Sequence, residues 1–375
     1  MTDIQTTHVG SLPRPASLQE LLADADSVDD DAFDAAVTDA VREVVRKQAD
    51  AGIDVANNGE QARLAYSVGV TNRLSGYSDE FAERDLPADL ADFPEFAEEL
   101  FGDKENIGGP ILTDAVEYVG EDRLRAELDR LDDAIEREGV SFADRFHTAP
   151  SPGAVLRFTE SAYHDSTEEY LFDLADALNT EYRVIADSGF QLQIDAPELL
   201  AAFTITFADA DVSEFRDHVR TYVEAINRAL DGVPSEQVRM HACWGNYPGP
   251  HHHDVALEEV IDLFYEADVS GLIVEAANPR HRHEFETFEE YPLPDGWSLV
   301  PGVVDVKTNI VENPDVIANQ IARFAEVVGD PARIVAGADC GFETVLGADF
   351  VHPAIAWKKL EALSEGAAIA SERLE

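Results

Sequence analysis

A single α/β domain, a (β/α)8 TIM barrel, is the fold class this sequence predicts, and three observations predict it. Short apolar runs that end in polar residues alternate with longer stretches of helical periodicity across most of the 375 residues. About eight such runs can be counted, and strand–helix alternation of that length calls for parallel strands, right-handed crossovers and a sheet buried on both faces. No GxGxxG follows the first run, which counts against the open doubly wound sheet of dinucleotide-binding folds. No repeat period or linker divides the chain, so 1–375 reads as one domain.

In order, Thr6–Gly10 reads as a short strand ending in Gly10-Ser11-Leu12-Pro13. Residues 30–51 space Phe33, Val37, Val41, Val44 and Val45 as an amphipathic helix that Gly52 stops. Ile53–Val55 restarts as a strand leading to Asn58-Gly59-Glu60. Residues 61–145 read as an elaborated insertion after the second strand, with acidic helical segments at Asp85–Phe101 and Glu121–Glu138 and a strand at Pro110–Thr113. A strand at Arg145–Ala149 leads into the turn Pro150-Ser151-Pro152-Gly153.

The rhythm is then regular. Ser166 and Glu169 form a capping box that opens a helix closed by Gly189. Phe190–Pro197 is a strand carrying Asp195, residues 212–230 a helix, and Val238–Cys243 a strand. Asp254 is suited to cap a helix through Phe264. Strands follow at Gly271–Val274, ending in Glu275, and at Leu299–Val306. Asn313-Pro314 opens a helix to Val328, Arg333–Ala336 is a strand running into Asp339-Cys340-Gly341, and a last helix follows His352-Pro353.

Composition limits the function. Hydrophobic residues make up 45%, enough for a packed core. Lys+Arg number 27 against 76 Asp+Glu, a net charge of −49, and only five residues are Lys. The acids are spread along the chain rather than gathered in a tail. Dispersed acidity with scarce lysine points to a halophilic, high-salt cytoplasm, where screening weakens self-repulsion. It argues against nucleic acid, whose phosphates demand basic patches. No stretch has the length of a membrane span, the opening MTDIQTTHVGSLPRP is unlike a signal peptide, and two cysteines make no disulfide scaffold. A cytoplasmic enzyme with reduced thiols is expected; its oligomeric state is open.

Four metal-type side chains fall where strands end: His241, Cys243, Glu275 and Cys340. On a strand, His241 and Cys243 point the same way, and barrel strand ends converge on one face. Two thiolates and an imidazole favour zinc over harder cations. A buried His and Cys that merely pack on a strand are the alternative.

These residues also carry a resemblance. His241-Ala-Cys243-Trp244-Gly245-Asn246, Glu275 after a strand, Asp339-Cys340-Gly341, the opening Thr7-His8-Val9-Gly10-Ser11-Leu12-Pro13-Arg14, Asn58-Gly59-Glu60 and Gln193-Ile194-Asp195 resemble, in order, the cobalamin-independent methionine synthase superfamily and its C-terminal catalytic barrel. Gly249-Pro250-His251-His252, Ala277-Asn278-Pro279-Arg280-His281 and Val351-His352-Pro353 look closest to the epoxyalkane:coenzyme M transferase-like branch. The resemblance implies zinc as cofactor, held by His241, Cys243, Glu275 and Cys340, and a zinc-dependent methyl or alkyl transfer to a small-molecule thiol, either homocysteine or coenzyme M-like. It implies substrate contacts at Ser11, Glu60, Asp195 and Asn246, with Glu60 and Asp195 holding an amino group. The donor could be methyltetrahydrofolate, an epoxide or a corrinoid. The family's Asp-Glu-Pro is here Asp195-Ala196-Pro197, and no duplicated N-terminal half is present, which counts against a polyglutamylated folate.

Other residues stay open. Arg14 or Arg63 could meet a sulfonate; His252 on the loop, and His8, are candidate acid–base groups; Asp339 is a candidate support for its neighbour Cys340. The rival readings are a metal-dependent hydrolase and a barrel whose zinc is purely structural.

Overall fold

The computed structural model describes residues 3–23, 29–65, 68–82, 86–101, 108–346 and 350–374. The start of the expected helix at Asp85 lies outside them. The strands in chain order are β1 (Val55–Ala56), β2 (Tyr77–Phe81), β3 (Pro110–Leu112), β4 (Asp144–Pro150), β5 (Glu160–Ser161), β6 (Gln191–Asp195), β7 (Val238–Ala242), β8 (Gly271–Val274), β9 (Ser298–Val304) and β10 (Gly337–Ala338).

Seven of them form one parallel sheet in the order β1-β4-β6-β7-β8-β9-β10. Both edges of this sheet are bonded to the same short segment. Ala336 N donates to Gln5 O and Thr7 N to Ala336 O, while Val55 N donates to Thr6 O. The sheet therefore curls into a TIM-like form. A smaller sheet, β2-β3-β5, lies apart. Among the described residues no helix is long and apolar enough to cross a membrane.

The alternation along each strand shows how the curl is filled. Leu272 and Val274 of β8 belong to the main core between sheet and helices, as do Met240 and Ala242 of β7. Ile273, between them, packs instead with Val9 and Val300 in a separate small cluster. Side chains one residue apart face opposite layers, so the second cluster lies inside the curl. Arg239 enters the same interior: it donates to Gln193 Oε1 (3.0 Å) and to Thr7 Oγ1 (3.3 Å) and covers the Phe146 ring at 4.0 Å.

Local sequence explains the helices. Asp29 caps Asp30–Asp50 by accepting from Ala32 N, Ser166 caps Thr167–Asp187 by accepting from Glu169 N, and Asn313 caps Pro314–Val328, which Gly329 ends at φ 77°. Three expectations need correction. Arg333–Ala336 pairs only through isolated parallel bridges, Ile334 with Leu299 and Ala336 with Thr6: Asp330 accepts from Ala332 N and closes a 3-10 turn over Pro331–Arg333, and continuous β10 starts at Gly337. Thr6–Gly10 makes one bridge, at Thr6, before Gly10 turns at φ 154°. The turn at 150–153 opens a helix, Pro152–Phe158, because Ser151 accepts from Ala154 N.

Gly302 of β9 is a close-approach position. A Cβ there would lie 2.6 Å from Asp339 Cα and 2.8 Å from its backbone N. Gly302→Ala is expected to destabilise the chain by about 1–3 kcal/mol, as overpacking does; a denaturation midpoint equal to that of the parent would refute this contact.

Candidate metal centre and substrate pocket

The parallel register of β6 and β7 pairs Asp195 with His241. Asp195 Oδ1 lies 3.3 Å from His241 Nδ1, which leaves Nε2 as the outer nitrogen. That Nε2 is buried and has no hydrogen-bond partner. Cys243 follows one strand step on, and Cys340 comes in past the end of β10. Ligand atoms of His241, Cys243 and Cys340 all lie within 4.8 Å of one another, and the three residues are buried. Two free buried thiols and an unpartnered imidazole nitrogen are a donor set that fits zinc.

The cluster's electrostatics follow from its contacts. The hydrogen bond with Cys340, helped by His241, brings Cys243 down to about 5 despite burial. The same contact pushes Cys340 up. Burial works against a charged His241, yet Cys243 and Asp195 raise it to about 10.

Glu275 lies outside this three-donor cluster. It is fully buried; Oε1 accepts from Trp244 N (3.1 Å), and Oε2 accepts from Asn278 Nδ2 (2.8 Å) and Lys307 Nζ (2.5 Å). Burial would raise its carboxyl, but the Lys307 ammonium brings it below the ordinary range. Asp339 organises the loop that follows. Its carboxylate accepts from Ala276 N and Ala277 N at 2.8 Å and Asn278 N at 3.0 Å, tying that loop to the residue beside Cys340.

Of the expected substrate residues, Ser11, Glu60 and Asp195 are buried and Asn246 is half-buried, and three carry buried polar atoms without partners: Ser11 Oγ, Glu60 Oε2 and Asn246 Oδ1. Glu60 caps no helix. Asn57 Oδ1 accepts from Gly59 N and Asn58 Oδ1 from Glu60 N, and these turns hold Gly59 at φ 64° and Glu60 at φ 55°. A left-handed non-glycine residue is uncommon and is held here by its surroundings. Thr148 Oγ1 donates to Glu60 Oε1 at 2.8 Å. Burial, with Asp195 adding to it, raises the Glu60 carboxyl, while Arg63 opposes. Ser11 and Asn246 converge on Gly341: a Cβ on Gly341 would overlap Ser11 Oγ, and Asn246 Nδ2 donates to Gly341 O at 2.9 Å.

The remaining candidates are placed differently. Arg14 is engaged with Glu343 and with the carbonyls of Glu60 and Arg63; Arg63 donates to Thr148 Oγ1 and meets His147. His8 bonds Gln48 at 2.8 Å and edges onto Phe146, and burial lowers it to about 4, so its ring is neutral near pH 7. His252 is exposed and shares Asp92 with His253. The loop histidine that turns inward is His251. Asp254 does not cap a helix; its side chain is buried between His251 and His281.

Sequence reasoning missed Lys307, His281 and Glu198. Lys307 had one available signal, being a rare lysine just past β9. His281 stood in the motif Ala277–His281 with Glu284 three residues on, without a sign of its second partner Asp254, and Glu198 had no signal.

A family model described as "Cobalamin-independent synthase, Catalytic domain" matches residues 151–356. The chain belongs to the cobalamin-independent synthase catalytic-domain family. It is 26% identical over 374 residues to a methionine synthase of Thermococcus kodakarensis, covering 99% of this chain and 94% of that one. Against a methionine synthase of Saccharolobus islandicus the identity is 25% over 383 residues, covering 99% and 96%. Its fold is similar to a B12-independent methionine synthase from Shewanella sp. W3-18-1 in complex with selenomethionine, with TM-score 0.75, 20% identity and 99% of each chain covered. The family match includes His241, Cys243, Glu275 and Cys340, and the two full-length relatives extend the similarity over the N-terminal segment that carries Ser11 and Glu60.

Glu198, three residues past Asp195, is fully buried, accepts from Ser151 Oγ at 2.6 Å and has an unpartnered Oε2. Burial raises its carboxyl from 4.5 to about 7. Between those values the folded chain holds a proton that the unfolded chain has lost, so this group's contribution falls as pH rises through the window and levels off above it. Glu198→Gln removes the cost. It is expected to match the parent near pH 4 and to exceed it above pH 7 by on the order of 2–3 kcal/mol, read by chemical denaturation in concentrated salt. A variant less stable than the parent at pH 8 would contradict this.

Proposed function

We propose that the chain methylates the thiol of homocysteine, using zinc held by His241, Cys243 and Cys340 with Glu275 as the fourth group. The observation that carries this reading is the buried cluster of two thiols and an unpartnered imidazole nitrogen gathered past the ends of β7 and β10. Zinc bound by such sulfur-rich donors supplies an electron-rich Lewis acid that promotes loss of a thiol's proton while leaving the sulfur nucleophilic. It is poorly suited to splitting water, which argues against the hydrolase alternative.

The chain's own residues do the rest. Glu60 and Asp195 provide acidic oxygens for a substrate ammonium, and Ser11 beside Gly341 offers a hydroxyl for its carboxylate. Asp195 also orients His241 through Nδ1. Transfer forms a carbon–sulfur bond, breaks the bond between methyl and donor, and releases the thiol proton. A coenzyme M-like thiol would bring a sulfonate instead, and the terminal nitrogens of Arg14 and Arg63 are already engaged within the protein, leaving only their buried Nε atoms without partners. We also read residues 5–7 as the eighth member of a closed barrel, and 61–145 as the elaboration of one of its strand–helix units.

Titration calorimetry of the zinc-loaded chain in concentrated salt tests the function, with homocysteine and coenzyme M side by side. Homocysteine is expected to bind with proton release; preference for coenzyme M would overturn the assignment. Cys243→Ser and Cys340→Ser should abolish that proton release while the circular dichroism stays native; a chain that unfolds in both would favour a structural zinc. Asp195→Asn is expected to weaken zinc binding by about 10–100-fold.

The net charge of −49 supports a halophilic protein. Raising salt from about 0.1 to about 1 M shortens the Debye length from about 10 to about 3 Å, so Tm should rise with potassium chloride. A Tm that falls over this range would count against the reading.

A further inference from the structure

Outside the thiol cluster, the described residues place His251, Asp254 and His281 with ligand atoms within 4.8 Å of one another. Their side chains are 9%, 0% and 3% exposed. His251 Nδ1 lies 2.8 Å and His281 Nε2 2.9 Å from the same oxygen, Asp254 Oδ2. The outer nitrogen of His251 settles its tautomer. His251 Nε2 lies 3.0 Å from the carbonyl oxygen of Tyr247, which can only accept, so Nε2 carries the hydrogen. His281 Nδ1 faces Glu284 Oε1 at 3.5 Å. In the neutral His251 ring the Nδ1 lone pair then points at Asp254 Oδ2, an arrangement that needs a cation between them.

A proton could serve, but it would bury an imidazolium and a carboxylate together, with a second imidazole converging on the same oxygen. A metal ion removes that conflict. It accepts both lone pairs and the carboxylate, and each imidazole keeps its outer N–H on a carbonyl or carboxylate, the arrangement by which metal-binding histidines are oriented. Asp254 Oδ1 is an independent sign: it is buried and has no partner. The exposed trio Asp92, His252 and His253 lacks these features; both of its imidazoles simply share one surface carboxylate.

We infer that His251, Asp254 and His281 form a second metal site, for a divalent transition cation of the zinc type, separate from the thiol cluster. Two imidazoles and a carboxylate suit such an ion, and three protein donors leave it an open position. The site also braces the first one. The His281 ring stacks on Trp244 at 3.5 Å and 8°, and Trp244 N donates to Glu275 Oε1.

The test is a metal count on the full-length chain in concentrated salt, stripped with chelator, reloaded with zinc, desalted and measured by elemental analysis. A parallel cobalt(II) loading uses the thiolate-to-cobalt charge-transfer band, which reports only the sulfur site. The parent is expected to hold two ions. His281→Ala and Asp254→Asn should each hold one and keep the band; Cys243→Ser should hold one and lose it. One ion in the parent, or two in a folded His281→Ala or Asp254→Asn chain, would overturn the second site. The parent count decides by itself if both variants fail to fold. Because the band follows the sulfur site alone, failure of the second site is distinguishable from failure of the proposed thiol chemistry.

Discussion

Lys307 on Glu275 is the contact on which the strand-end face depends. The same small volume holds Glu275, Asp339, Cys243 and Cys340, all buried. Carboxylates and thiolates cannot be desolvated together without compensation. Lys307 reaches Glu275 at 2.5 Å, and its charge also acts on Asp339 and Cys340. Even so, Asp339 is raised to about 7, by burial first and by Glu275 second. Its hydrogen bonds from three successive backbone N–H groups keep it in place while fixing the loop after β8. The result is a rigid acidic wall with one ammonium behind it.

A second chain of contacts runs up the interior of the curl. Arg239 donates to Gln193, Gln193 Nε2 donates to Asp195 at 2.8 Å, and Asp195 meets His241 at 3.3 Å. Burial lowers the Arg239 guanidinium to about 9 although Asp195 favours its charged form. The orientation of His241 is thus set by three side chains on β6 and β7, all on one face because strand side chains alternate. Three buried atoms, Ser11 Oγ, Glu60 Oε2 and Asn246 Oδ1, are left without partners around this support. Buried polar groups are seldom orphaned without a reason, and a polar substrate that completes them is a sufficient one.

Much of this was legible in the linear chain because it rests on local rules. Helix ends at Ser166 and Asn313 follow from side chains that cap the first turn, and the segments Glu121–Glu138 and Pro314–Val328 come from periodicity. The placing of His241 and Cys243 on one face follows from strand alternation. Thr6–Gly10 and Arg333–Ala336 read as full strands in the sequence but pair only through isolated bridges, because an apolar run does not reveal where neighbouring backbone ends. Asp254 reads as a cap in the sequence because its partners lie 3 and 27 residues away, and only the packing of the segment after β8 brings His281 to it.

By itself the sequence determined the α/β alternation, the acidic character and the donor types, since these depend on composition and on spacing within one element. Tertiary structure decided which donors meet. It gathered His241, Cys243 and Cys340, gave Glu275 to Lys307, turned His251 inward and left His252 in solvent. The physical reason is that such choices depend on register between strands and on the pairing of buried charge. Both are set by residues tens to hundreds of positions apart, which no local pattern encodes.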